Sequence, residues 1–256
     1  MILCIDVGNT DIVLGVFQGE ELQRTARFKY IKGLSAWEYL PFLKDKFNLN
    51  FIDYQKVEGC VLCCVAQSTL EGLRLALETV LGVTPFVFSN DEKCGMGVKI
   101  GDPKEVGTDI VASCLAVKNS KNLPAIVIDM GTATTLTALD EDGDILGVSI
   151  LTGVLVSLEA LKNRTGLPID QSLSPPTKAI GTTTAQSMAS GSVLSSAYAL
   201  DGMIAAFERE MKCSANIYAT GGISPFIIPF CQRKILLNEN LLLEGLYSYY
   251  KNCIIK

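Results

Sequence analysis

The sequence predicts an α/β fold built as two similar domains with mixed sheets, and three observations predict it. A strand, an Asp-x-Gly turn and a second strand occur twice in the same order. Strand-like and helix-like segments alternate throughout, the pattern of an α/β chain rather than of segregated classes. The length of 256 residues exceeds one layered domain and suits two, since domains commonly hold ~100–150 residues.

In chain order, Ile2-Leu3-Cys4-Ile5 is a short buried-strand run ending at Asp6-Val7-Gly8-Asn9-Thr10, followed by a strand from Ile12 to Phe17 and a turn at Gln18-Gly19-Glu20. Ser35 to Phe47 and Ser68 to Leu81 have helical spacing, with Ser68 suited to an N-cap three residues before Glu71. Val57 to Val65 and Pro85 to Phe88 are expected strands, and Ile110 to Val117 an expected helix that Asp109 is suited to cap. Lys118-Asn119-Ser120-Lys121-Asn122 interrupts two apolar segments, which puts a boundary between domains of residues 1–118 and 119–256.

The opening pattern then recurs. Ala125-Ile126-Val127-Ile128 runs into Asp129-Met130-Gly131-Thr132-Ala133-Thr134, a strand from Thr135 to Leu139 and a turn from Asp140 to Asp144. Asp6 matches Asp129 and Gly8 matches Gly131 at an offset of 123 residues, while Gly19 matches Gly143 at 124, one residue having entered a turn. A repeat of this length implies two similar domains facing each other. Val154 to Leu161 and Ala185 to Arg209 have helical spacing, Ile217-Tyr218-Ala219 is a strand, and Tyr247-Ser248-Tyr249-Tyr250 belongs to a terminal helix that packs its aromatics.

Composition narrows the function classes. Hydrophobic residues make up 48% and charged residues 19%, which suits a large buried core. The net charge of −5, with no dense Lys/Arg stripe, argues against nucleic acid as a partner. The start of the chain has no basic n-region, and the longest charge-free apolar run, Ile145 to Leu158, is 14 residues, short of the ~20 that span a bilayer. A cytoplasmic protein with no membrane partner is expected. Nine cysteines then point to reduced thiols, and the absence of histidine removes Ser-His-Asp, Cys-His and histidine-metal chemistry together. Cys60-Val61-Leu62-Cys63-Cys64 contains a Cys-x-x-Cys spacing but no second pair, and is expected to be a buried strand using cysteine as a small apolar residue.

Gly turns after buried strands present backbone N–H groups that bind phosphate oxygens. An Asp at the strand end would repel a bare phosphate, so its use is to hold a metal ion, directly or through water. Two copies of this arrangement therefore look like two jaws on a polyphosphate. Thr220-Gly221-Gly222-Ile223 follows a strand, where paired glycines admit a flat ring such as adenine or simply make a flexible turn.

Taken with their order, these motifs resemble those of the type III pantothenate kinases. Asp6-Val7-Gly8-Asn9-Thr10 resembles the family's first phosphate motif, Asp129-Met130-Gly131-Thr132-Ala133-Thr134 its second, and Ala219-Thr220-Gly221-Gly222 its adenosine motif. Asp102-Pro103-Lys104-Glu105-Val106-Gly107-Thr108-Asp109, Ser157-Leu158-Glu159-Ala160-Leu161, then Gly181, Thr184, Met188 and Ser190-Gly191, and Leu243-Glu244-Gly245-Leu246 complete the set. The resemblance implies two duplicated ribonuclease H-like domains of the actin-like ATPase superfamily with an interdomain ATP cleft. It implies ATP-dependent phosphorylation of pantothenate in coenzyme A synthesis.

The site residues implied are Asp6, Val7, Gly8, Asn9, Thr10, Asp11, Thr132, Gly221 and Gly222 for ATP, with Asp6 also placing Mg²⁺. Asp109 is implied as proton acceptor, and Asp129 as holding a monovalent cation, K⁺ or NH₄⁺. Gly107, Thr108, Asp109, Ile110, Ile100 and Thr184 are implied for the substrate, in a homodimer. The chain departs from the family on the acceptor side: Ile110 stands for an Arg, Ile100 for a Tyr, Asp102 for an Asn, Thr152 for a Pro and Thr183 for an Asn. Loss of the Arg removes five donors and a permanent charge, for which Lys99 or Lys104 are candidate replacements. A kinase for another small hydroxylated metabolite, and a nucleotide-binding homologue with reduced or lost activity, are the alternatives.

Overall fold

The computed structural model describes residues 1–90, 94–166 and 173–254. It contains two compact units, one made of Met1–Met96, Gly101–Asn119 and Leu241–Lys256, the other of Gly97–Ile100 and Ser120–Asn240. The chain passes from the first unit to the second between Asn119 and Ser120. Two segments depart from a simple division into halves. Residues 97–100 belong with the second unit, and the C-terminal segment belongs with the first.

The first unit carries β1 (Ile2–Val7), β2 (Asp11–Gln18), β3 (Glu21–Lys29), β4 (Gly59–Cys64) and β5 (Phe86–Val87) in the spatial order β3-β2-β1-β4-β5. β1, β2 and β3 form an antiparallel meander, whereas β4 lies parallel to β1 and β5 parallel to β4. Helices α1 (Ala36–Leu49) and α2 (Gln67–Leu81) cover one face, where Leu3, Ile5, Val7, Cys60, Leu62 and Cys64 meet Tyr39, Leu43, Phe47 and Leu73. Ser35 caps α1, its side chain and that of Glu38 forming a reciprocal box. The cap expected at Ser68 is not used: α2 begins at Gln67 after Ala66, which has no side-chain bond to offer, and Ser68 lies inside the first turn.

Helices α3 (Thr108–Ser120) and α8 (Leu241–Tyr249) also belong to this unit. Tyr247 stacks on Phe17 with ring centroids 4.3 Å apart, as expected for a terminal helix that packs its aromatics. Gly245 explains the close docking of α8 on α3, because a Cβ there would lie 1.8 Å from the Ala112 carbonyl oxygen.

The second unit repeats the plan. β6 (Ala125–Met130), β7 (Ala133–Leu139), β8 (Ile145–Thr152), β9 (Asn216–Thr220) and β10 (Leu236–Leu237) are ordered β10-β9-β6-β7-β8. Read from the other edge, this is the first sheet's order, with β6, β7 and β8 antiparallel and β9 and β10 parallel. Both sheets also carry an irregularity between their second and third strands, at Val16/Phe17 and at Ala138/Leu139.

α4 (Val154–Thr165) and α6 (Ser195–Met211) bury Val154, Leu158, Ala197, Leu200 and Ile204 against Ile126, Ile128, Ile217 and Ala219. The long helical pattern from Ala185 is divided into α5 (Thr184–Ala189), a π-helical turn at Ser190–Leu194, and α6. A short helix, α7 (Ser224–Ile227), follows β9. Among the described residues no helix is long and apolar enough to cross a membrane.

Candidate active site

In the first unit, the register of β1 and β4 sets Asp6 beside Cys63. Side chains alternate along a strand, and Leu3, Ile5 and Val7 fill the α1/α2 core, so Asp6 points to the opposite face. The turn after β1 is closed by the Gly8 N–H donating to the Asp11 carbonyl at 3.0 Å, which leaves Asn9 and Thr10 exposed at its tip. Asp11 begins β2, and its carboxylate is held by Lys29 at 3.0 Å and Arg27 at 3.4 Å across the strand pair.

Asp109 is presented by the start of α3. The preceding 3₁₀ turn, Pro103–Glu105, is capped by Asp102, whose carboxylate accepts the Lys104 N–H at 2.9 Å. Asn90 braces the same segment by donating to the carbonyls of Pro103 and Val106. The helix then opens at Thr108, with the Val111 N–H donating to the Gly107 carbonyl. Asp109 thus lies inside the first turn instead of serving as the cap before Ile110. Its Oδ1 accepts the Ile110 N–H at 3.0 Å and rests over Gly107, where a Cβ would meet it at 2.4 Å. Burial raises the Asp109 carboxyl above its ordinary range, partly offset by the amides of Ile110 and of Asp109 itself. A desolvated carboxylate with a raised pKa is a better proton acceptor than a solvated one.

The second unit places Asp129 at the corresponding point of β6, paired in register with Thr220 of β9. The turn after β6 closes as the first does, with the Gly131 N–H donating to the Ala133 carbonyl at 2.9 Å and Thr132 exposed. Gly221 has φ +92°, and a Cβ there would lie 2.5 Å from the Met130 carbonyl oxygen and 2.6 Å from Asp129 Oδ1. The sequence's second phosphate motif and its Gly-Gly turn are therefore one local structure. Ser224, fully buried, fixes that turn by donating its hydroxyl to the Gly221 carbonyl at 2.6 Å. The Thr184 side chain is exposed at the start of α5, which Thr183 caps by accepting the Gln186 N–H.

The sequence model of type III pantothenate kinases matches residues 2–206. The type III pantothenate kinase of Moorella thermoacetica is 34% identical over 252 residues, covering 98% of this chain and 99% of that protein. The chain belongs to the type III pantothenate kinase family. The family member from Syntrophus aciditrophicus is 32% identical over 251 residues, covering 98% of this chain and 99% of its own. Among solved structures, the ethanolamine utilization protein EutJ from Carboxydothermus hydrogenoformans superposes with a TM-score of 0.55 at 14% identity, covering 96% of this chain and 89% of that one. At that identity the likeness speaks for the fold alone, two duplicated ribonuclease H-like domains.

The structure gives local reasons for several departures from the family's pattern. Asp102 and Thr183 each cap the turn that follows, so both positions still perform a capping task. Ile110 is half-buried and gives its N–H to Asp109, with an apolar side chain where the pattern has a cation. Ile100 lies in the second unit, apart in the chain's organisation from Gly107, Thr108, Asp109 and Ile110 in the first. Lys99 is not a spare cation, since it pairs with Asp140 and, at 3.4 Å, with Asp144. Burial would raise the Asp140 carboxyl, but Lys99 and the amides of Asp144 and Asp142 more than offset it and hold it below its ordinary value. Sequence reading missed Ser224, and it took Cys63 only as a buried strand residue, which it is. No local pattern distinguishes Ser224 from an ordinary buried small residue, and the spacing of Cys63 from Cys60 says nothing of its contact with Thr108.

Proposed function

We propose that the protein transfers the terminal phosphoryl group of ATP to the hydroxyl of pantothenate, giving 4′-phosphopantothenate in the first step of coenzyme A synthesis. Asp109 takes the hydroxyl proton. The observation that carries this role is its carboxylate, half-buried, raised in pKa and held over Gly107 at the start of α3. Asn9 and Thr10, exposed beyond Asp6-Val7-Gly8 and Asp11, bind ATP from the first unit, and Thr132, Gly221 and Gly222 bind it from the second. Gly107, Thr108, Ile110, Ile100 and Thr184 line the substrate's surroundings.

The donors present fit the expected ions. Among the described residues no cluster of three or more His, Cys, Asp or Glu could hold a metal alone. Mg²⁺ commonly uses one or two carboxylates with waters and substrate phosphates. Asp6 would hold it, directly or through water, and Asp129 with nearby carbonyl oxygens would hold K⁺ or NH₄⁺. When bound, these ions neutralise charge on the transferring phosphoryl group.

Two copies of the chain associate in this proposal. Ile150 on β8 is 72% exposed, and Leu155, Val156 and Leu161 on α4 are also exposed, an apolar surface consistent with pairing. The setting is the cytoplasm, in keeping with nine free thiols. A second reading, a kinase for a less anionic hydroxylated metabolite, is favoured by the apolar Ile110 side chain beside Asp109. The test is formation of 4′-phosphopantothenate from ATP and pantothenate, with and without K⁺, beside a panel of uncharged alcohols. Product from pantothenate supports the proposal. ATP consumption only with another acceptor supports the second reading, and ATP binding without turnover overturns both.

A further inference from the structure

The Cys60-x-x-Cys63 spacing is not a metal or redox pair. Residues three apart on a strand point to opposite faces. Cys60, Leu62 and Cys64 lie in the α1/α2 core, leaving Cys63 on the face that carries Asp6. There the Cys63 thiol, completely buried, donates to Thr108 Oγ1 at 3.5 Å. Thr108 is the first residue of α3 and the immediate neighbour of Asp109.

We propose that Cys63 is a positioning residue for Asp109: its thiol fixes the Thr108 hydroxyl and so the seat of the first turn of α3 on β4. The inference rests on the reading of Asp109 as proton acceptor. A thiol donates this bond only while protonated. Cys63 is completely buried on β4, out of reach of solvent. The same burial makes Cys63 inert as a nucleophile. Asp6, its register partner on β1, and Asp109, next to its hydrogen-bond partner Thr108, both have assigned roles, and the Cys63 thiol links strand β4 to the helix that carries Asp109.

The experiment is a double-substitution cycle on the full chain with Cys63→Ala, Thr108→Val and both together, read as kcat for phosphoryl transfer and as KM for ATP. Each single change should lower kcat by roughly 3- to 10-fold, the share of one neutral hydrogen bond, with KM for ATP little changed. The double variant should be no slower than the slower single one, because both remove the same interaction. Cys63→Ser, which keeps a donor, should recover most of the loss. Additive losses, an unaltered kcat in Cys63→Ala, or serine behaving as alanine would each overturn the inference. If Cys63→Ala does not fold, Thr108→Val against Thr108→Ser carries the test, and equal kcat in those two overturns it. Asp109→Asn separates the two levels. Wild-type turnover in that variant removes the proton-acceptor reading itself, whereas slow Asp109→Asn with fast Cys63 and Thr108 variants removes only the positioning role.

Discussion

The Asp109 carboxylate occupies the space that a side chain at Gly107 would need, its Oδ1 standing 2.4 Å from the position of a Cβ there. Gly107→Ala must therefore move the carboxylate, since Asp109 is the flexible partner of the clash. Turnover should fall by ~10²-fold, the usual cost of a reacting group displaced by about an ångström, with ATP affinity unchanged. Equal kcat in wild type and Gly107→Ala would show that Asp109 has freedom to re-seat.

Asp109→Asn should lower turnover by ~10²–10⁴, the range for a positioned general base, while ATP binding measured by calorimetry stays intact. The raised pKa also predicts the pH response. As a proton acceptor Asp109 works only when ionised, so kcat should fall as pH drops through a value above the ~3.9 of an ordinary aspartate. For stability, a carboxyl whose folded pKa is raised favours the fold at low pH, and that contribution is lost as pH rises through the folded value. Asp109→Asn should thus melt higher than wild type at neutral pH, and the gap should close below about pH 4. A lower Tm for the variant at pH 7 would mean that the carboxylate is stabilised rather than desolvated.

What local sequence revealed, and what it did not, follows from where each element gets its stability. The strand-turn-strand repeat around Asp6 and Asp129 was legible because buried runs and Gly turns carry their own signal. β3, Glu21–Lys29, was not: six of its nine residues face solvent, so its identity comes from pairing with β2 rather than from a hydrophobic pattern. The terminal helix was legible as a helix, but its unit was not, because that depends on Gly245 lying against the Ala112 carbonyl, a contact between residues 133 apart in sequence. At the candidate site, Asp109 was found through its motif, while its place inside the helix depends on the bond from Val111 to Gly107. Cys63 shows the same limit, since its partner Thr108 lies 45 residues away.

Gly221→Ala tests the second unit. The positive φ and the Met130 carbonyl, a backbone atom that cannot rotate aside, leave no room for a methyl group. Nucleotide affinity should weaken by roughly 5- to 150-fold, the range that ~1–3 kcal/mol of backbone strain corresponds to when the native turn must be re-formed on binding. Asp129→Ala should instead flatten the response of turnover to added K⁺. An unchanged K⁺ response in that variant would remove Asp129 from the ion's ligands.

Ile110→Arg distinguishes a pantothenate kinase with an altered pocket from a kinase for another acceptor. The main-chain N–H of residue 110 is already given to Asp109 Oδ1 at 3.0 Å, so a new side chain need not disturb that bond. If pantothenate is the acceptor and its carboxylate meets this region, a guanidinium adds a charge-assisted hydrogen bond of ~1.5–3 kcal/mol, and kcat/KM for pantothenate should rise by about one to two decades. KM for ATP should stay within about two-fold, because the substitution adds no bond to the nucleotide. If the acceptor is uncharged, the same guanidinium is left poorly paired in an apolar setting, and activity toward that acceptor should fall. A wild-type enzyme already fast on pantothenate and slowed by the Ile110→Arg substitution would show that Ile110 belongs to a complete pocket that recognises the anion through other groups. Kinetics of both forms on pantothenate and on one uncharged alcohol separate these outcomes.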